Sequence, residues 1–237
     1  MPKVALALAA KLRGIPAYIV MPLSAPAVKK RGVLGYGAQV IDCPTVESRQ
    51  PTADRIVAET GAVFIHPYNN PDVIAGQATI ALEALEQVAD LDAIITPVGG
   101  GGMMSGVAIA AKALKPGIKV FGAEPKDADD AYRSKEAGEL LPQTGTSTIA
   151  DGLRTGLGSL TWPVVRDLVD AIYTVSEEEI KAAMRLVWER MKLVVEPSGA
   201  VSLAAVLSED FRKANPDVRR ICVVFSGGNV DLDAWRW

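Results

Sequence analysis

The chain has 237 residues, enough to bury a full hydrophobic core and to form one or two domains. With 25 Lys and Arg against 28 Asp and Glu its net charge is −3, which leaves no basic footprint for nucleic acid and no polybasic patch for a membrane surface. The expected partners are small molecules or further copies of the same chain. Two cysteines, Cys43 and Cys222, lie in apolar strand-like contexts without CxxC or metal spacing, which fits buried thiols in a reducing, cytoplasmic setting.

In chain order, the first element is a helix over Val4 to Leu12, nearly all apolar and expected to be buried. It is too short to span a bilayer, is broken by Lys11, and shows no signal-peptide cleavage pattern. Short β-rich runs follow near Ala17 to Met21, Gln39 to Asp42, Val63 to His66, Ala93 to Val98, Lys119 to Ala123, Ala171 to Thr174 and Arg220 to Phe225. Between them, Val73 to Val88 and Glu177 to Leu193 read as helices, the second opened by a capping box, Ser176 with Glu179. Strands alternating with helices predict βαβ units and parallel sheets covered by helices, an α/β protein. Pro67 to Asp72 is rich in turn formers and suits a linker, so a small domain over 1–68 and a large domain over 69–237 are expected. Gly138 to Leu160 reads as a long loop over a surface or cleft.

Four consecutive glycines, Gly99 to Gly102, stand between the apolar strand ending at Val98 and a helix-like run from Met103. Backbone without Cβ can approach a ligand closely, and the N–H groups at the start of a helix face an anion at the positive end of its dipole. A glycine-rich turn also joins strand to helix for steric reasons alone, but glycine costs roughly 0.5–1 kcal/mol of backbone entropy relative to Ala at each position. No Lys-Ser or Lys-Thr follows, and the spacing is not GxGxxG, so a small phosphorylated cofactor fits better than ATP or NAD at this loop.

Three further motifs end a strand or open a helix: Gly122-Ala123-Glu124-Pro125, Glu196-Pro197-Ser198-Gly199-Ala200 and Ser226-Gly227-Gly228-Asn229-Val230-Asp231. In open parallel sheets such motifs converge on a crevice outside the carboxyl ends of the strands. Together with the glycine loop, Thr148 to Gly152 and Leu186 to Leu193, they make the chain resemble the fold-type II pyridoxal-phosphate enzymes, the serine and threonine dehydratase family. Within it the likeness is greatest to eukaryotic-type serine racemases.

The resemblance implies a two-lobed, tryptophan-synthase-β-like fold that would be N-terminally incomplete here. It implies that Gly99, Gly100, Gly101, Gly102 and Met103 wrap the phosphate of pyridoxal 5′-phosphate and that Ser226 meets its pyridine nitrogen. It further implies a Mg2+ or Ca2+ site at Glu124, the main-chain oxygen of Ala128 and Asp130; a solvated acidic first helical turn is the alternative. Lys192 and Asn229 would face ATP as an allosteric effector at the interface of a homodimer. The implied reactions are interconversion of L- and D-serine and conversion of serine to pyruvate and ammonia. Threonine or hydroxyaspartate dehydration shares every motif present.

The family's Schiff-base lysine lies upstream of a Ser-Ser-Gly-Asn-His loop, both are missing here, and neither that lysine nor the opposing serine has a counterpart in this sequence; Lys3 stands in the wrong segment. The chain as given is therefore expected to be inactive by itself, and a non-catalytic chain that binds the cofactor or pairs with a complete subunit is the reading of a different class. The lone His66, at an expected strand end, reads as structural or cleft-lining, and Tyr68 and Asn69 have no secure alignment.

Overall fold

A computed structural model describes residues 2–233, and by compactness they divide into two units. One holds the residues up to Pro67 and those from Asn229; the other is Tyr68–Gly228.

The first unit opens with α1 (Pro2–Arg13), followed by β1 (Tyr18–Pro22), α2 (Ala27–Gly35), β2 (Gln39–Cys43) and α3 (Arg49–Thr60). β1 and β2 pair in parallel, Tyr18 opposite Gln39 and Pro22 opposite Cys43. Their core is Ala7, Ile19, Met21, Val33 and Ala38. Two expectations are corrected in this unit. The first helix is not buried all round: Ala7 is enclosed, but Leu8 and Leu12 are 36% and 77% exposed, because a two-stranded sheet covers only one face of it. The expected strand at Val63 to His66 is irregular backbone with Val63 83% exposed. β-branched composition favours a strand only where a neighbour completes the ladder, and among the described residues none pairs there.

The second unit runs α4 (Pro71–Gln87), β3 (Ala93–Pro97), α5 (Gly102–Leu114), β4 (Lys119–Pro125), α6 (Asp130–Ala137), α7 (Thr161–Leu168), β5 (Ala171–Val175), α8 (Glu177–Leu186), α9 (Pro197–Leu207), α10 (Glu209–Ala214) and β6 (Ile221–Val223). Its four strands are all parallel in the order β5-β4-β3-β6. β3, apolar at nearly every position, is the fully buried central strand, as expected for a parallel sheet covered on both faces. The core joins Ile94, Val98, Met104, Val107, Ala111, Ile118 and Val120 to Val165 and Ile172.

Local chemistry sets the boundaries. Part of the anticipated linker starts a helix: Asn70 caps α4 by accepting from the N–H groups of Asp72 and Val73, with Pro71 in the first turn. The capping box of Ser176 and Glu179 forms at α8. That helix stops seven residues before the expected Leu193: Val187–Met191 widens into a π-turn closed by Lys192 at φ 60°, a break no Gly or Pro announces. The long loop over 138–160 is present, with one 3-10 turn at Asp151–Leu153. Among the described residues no helix is long and apolar enough to cross a membrane.

Candidate functional site

The strand order turns at β3: the chain steps from β3 to β4 and β5 on one side, and β6 is laid against the other. A ligand crevice in such a sheet lies outside the carboxyl ends at that turning point. The glycine loop follows β3 and the Ser226–Gly228 turn follows its neighbour β6.

Gly101, at φ 81°, is the N-cap of α5, a conformation that a residue with a Cβ rarely adopts. A Cβ on Gly100 would stand 2.3 Å from the Tyr68 ring, and one on Gly102 would stand 2.8 Å from Tyr68 Cβ. The loop is also held from the other side. Thr161 Oγ1 donates to the Gly100 carbonyl (2.8 Å) and accepts from the Gly158 N–H (2.8 Å), while Asn69 Oδ1 accepts from the Leu160 N–H (2.8 Å). The first N–H groups of a helix have no partner within it, so the start of α5 offers a row of donors at the positive end of its dipole.

A short chain of contacts links this loop to the Ser226 turn. Gly99 packs on Leu153, the point where a Cβ would sit being 3.1 Å from Leu153 Cα. Gly152 N–H donates to Ser198 Oγ (3.0 Å), and at the next residue the corresponding point on Gly199 is 2.7 Å from the Gly227 carbonyl oxygen. Glu196 N–H donates to that same oxygen (2.9 Å). The Glu196–Ala200 motif is thus the start of α9, wedged between the two turns. Ser226 is half-buried, three residues beyond the last residue of β6. Two hydroxyls brace these loops, and the sequence announces neither role. Thr161 belongs to no motif and Ser198 stands out only within its own, because a lone hydroxyl carries no signal of the turn it will brace.

At the end of β4 the electrostatics differ. Glu124 and Asp130 are fully buried, and so is Ala128. Glu124 accepts from the N–H groups of Ala131 (3.2 Å) and Tyr132 (2.8 Å) in the first turn of α6. Asp130 Oδ2 accepts from Leu157 N–H (3.0 Å), whereas its Oδ1 is buried with no hydrogen-bond partner. Burial, then the neighbouring Asp130 charge, pushes the Glu124 carboxyl well above the usual range; burial raises Asp130 to about 6. Asp129 turns outward to pair with Arg133 (2.8 Å), and Asp127 is exposed. Among the described residues no three His, Cys, Asp or Glu side chains gather as a metal-binding group, so a cation here would draw on the two carboxylates, a main-chain oxygen and water.

Lys192 is exposed, its Nζ donating to the Glu189 carbonyl (2.6 Å), while Asn229 falls in the other compact unit. His66 is half-buried, edge-on to Phe64, with burial lowering its pKa. Cys43 is buried, Cys222 half-buried with its thiol pKa raised by burial, and neither forms a disulfide.

The family model described as pyridoxal-phosphate dependent enzyme matches residues 4–227. The chain belongs to this family. The mouse serine racemase is 54% identical over 235 residues, covering 98% of this chain and 69% of the relative. The structure of maize serine racemase superposes with a TM-score of 0.95 at 52% identity, covering 98% of this chain and 71% of that one. The crystal structure of T.th. threonine deaminase superposes at 0.90 with 44% identity, covering 97% and 75%. The mixed α/β fold with parallel sheets is that of fold-type II members of the family, and its cofactor is pyridoxal phosphate.

The residues present suit that cofactor. The loop at the start of α5 is closed against Tyr68 so tightly that no side chain fits, which leaves backbone N–H groups to meet a phosphate.

Proposed function

We propose that this chain serves serine racemisation, L-serine to D-serine, together with serine dehydration to pyruvate and ammonia. The observation that carries the proposal is the joining of the glycine loop to the Ser226 turn through Gly152 and Ser198 at the carboxyl ends of two neighbouring strands. The high identity to serine racemases supports the choice of substrate.

When bound, pyridoxal phosphate supplies the electron sink that acidifies the α-hydrogen of an amino acid. Backbone N–H groups of Gly99 to Met103 would hold its phosphate at the start of α5. Ser226 would meet the pyridine nitrogen as a neutral hydroxyl, so the nitrogen need not be protonated and the sink is moderated. Tyr68 packs against Gly100 and Gly102. Glu124, the Ala128 carbonyl and Asp130 would hold Mg2+ or Ca2+, which relieves the repulsion between two buried carboxylates and gives the unpartnered Asp130 Oδ1 a ligand.

The same reading makes the chain a homodimer in the cytoplasm. The exposed apolar residues Leu186, Met191, Leu193 and Val194 support pairing. None of the chain's lysines is matched to the amine that joins the cofactor, and we assign no residue here to proton transfer at Cα.

The test has two arms. The 237-residue polypeptide should bind pyridoxal phosphate without a stoichiometric borohydride-fixed lysine adduct and form neither D-serine nor pyruvate. Placed behind a segment carrying the Ser-x-Lys motif and the Ser-Ser-Gly-Asn-His loop, it should form both from L-serine. Turnover of threonine without serine would establish the dehydratase alternative, which the likeness to threonine deaminase favours.

A further inference from the structure

The turn after α6 carries a second group of buried polar atoms that the site so far described does not use. Both amide atoms of Gln143, Nε2 and Oε1, are buried and have no hydrogen-bond partner. An unsatisfied buried amide costs about 1–3 kcal/mol per missing bond, so two on one side chain, with a third at Asp130 Oδ1, need an explanation.

The two side chains share a neighbour. Gly156 stands between the two side chains: the point where its Cβ would be is 3.3 Å from Gln143 Cβ and 3.4 Å from Asp130 Oδ2. The segment bearing Gln143 is fixed by bonds on either side of it. Leu141 N–H donates to Ser134 Oγ (3.0 Å), and Arg133 Nη2 donates to the Pro142 carbonyl (3.0 Å) and to Thr144 Oγ1 (3.3 Å). Gly145 packs on Asp127, the corresponding point lying 2.4 Å from the Asp127 carbonyl oxygen. The bonds from α6 and the contact with the turn before it thus hold the base of the Gln143 side chain across Gly156 from Asp130, while the amide itself is unbonded.

We propose that Gln143 is a positioning residue of the cation site, its amide holding water molecules that complete the shell of a divalent cation bound by Glu124, Asp130 and the Ala128 carbonyl. Two carboxylates and one carbonyl leave a hard cation short of six oxygens, and Mg2+ in particular retains several waters. Those waters need partners of their own, and a neutral amide can accept from one and donate to another. The inference rests on the cation reading given above.

The experiment measures Mg2+ and Ca2+ affinity of the full chain by calorimetric titration, beside melting temperature in EDTA, for the parent, Glu124→Gln and Gln143→Leu. Outer partners of metal ligands are typically worth about 10- to 100-fold in affinity. Gln143→Leu should therefore weaken cation binding at least about tenfold, yet melt no lower than the parent in EDTA, since it removes two unsatisfied atoms. An amide serving only the fold would give the opposite pair of results, and either unchanged cation affinity or a lower melting temperature in EDTA overturns the inference. No cation response in the parent, or an equal one in Glu124→Gln, overturns the cation site and the inference with it. Gln143→Glu is the check if the leucine variant does not fold: a carboxylate there should tighten cation binding, and unchanged affinity overturns the inference.

Discussion

The loop after β3 and the turn after β4 lie side by side at the carboxyl edge of one sheet and are built on opposite principles. After β3 the protein fills its own space: Tyr68, Leu157 and Thr161 stand where side chains on Gly100, Gly101 and Gly102 would be. After β4 it leaves polar atoms without partners, Asp130 Oδ1 among them, beside the buried Glu124 carboxyl. A region fixed by steric closure writes itself into the sequence as glycine. A region awaiting a charge from outside the chain is written only as ordinary carboxylates.

The steric half is broken most severely at Gly106, which sets how α5 lies on α4. A Cβ there would be 2.3 Å from the Ile74 carbonyl oxygen and 2.7 Å from the Ala78 nitrogen, backbone that cannot swing aside. Gly106→Ala should lose about 3 kcal/mol or more of stability, read as a lower urea midpoint, and shift the start of α5 enough to weaken cofactor binding. An unaltered midpoint would mean that the two helices are not held by this contact.

The electrostatic half is sharpened by pH. Asp130, at about 6 in the fold against 3.8 ordinarily, is raised by burial. A carboxyl raised on folding stabilises fully below its unfolded value, and that contribution is lost as pH rises through the folded one. In EDTA, the contribution of Asp130 to stability should fall by on the order of 3 kcal/mol between about pH 4 and pH 7, from a shift of about two units. Saturating Mg2+ or Ca2+, which binds the carboxylates, should flatten or reverse that slope. Urea midpoints across the range decide it; a profile identical with and without cation would remove the ion from this pair.

Much of this was legible in the residues. Continuous apolar runs marked β3 and β4, and the Ser176-Glu179 pair marked the start of α8, because these signals act within a few positions. The alternation of strand and helix gave the parallel sheets. What stayed hidden depends on distant partners. Val63 to His66 has strand composition but finds no ladder among the described residues, and Leu12 is apolar on a helix that is covered on one side only. Glu124, Ala128 and Asp130 could be named by resemblance, but nothing local distinguished Asp130 from Asp129. Only the fold turns one inward and pairs the other with Arg133. Gln143 gave no sign at all, since an unpartnered amide exists only once its surroundings are built.

Phosphate recognition by the closed glycine loop at the start of α5 is central to everything proposed for this chain. Its most direct test is the affinity of the parent chain for pyridoxal 5′-phosphate against pyridoxal, followed by fluorescence quenching at one pH and salt concentration. Two or more hydrogen bonds to a charged phosphate are worth about 3 kcal/mol or more, so the phosphorylated form should bind at least about a hundredfold tighter. Equal affinity for the two would contradict the claim.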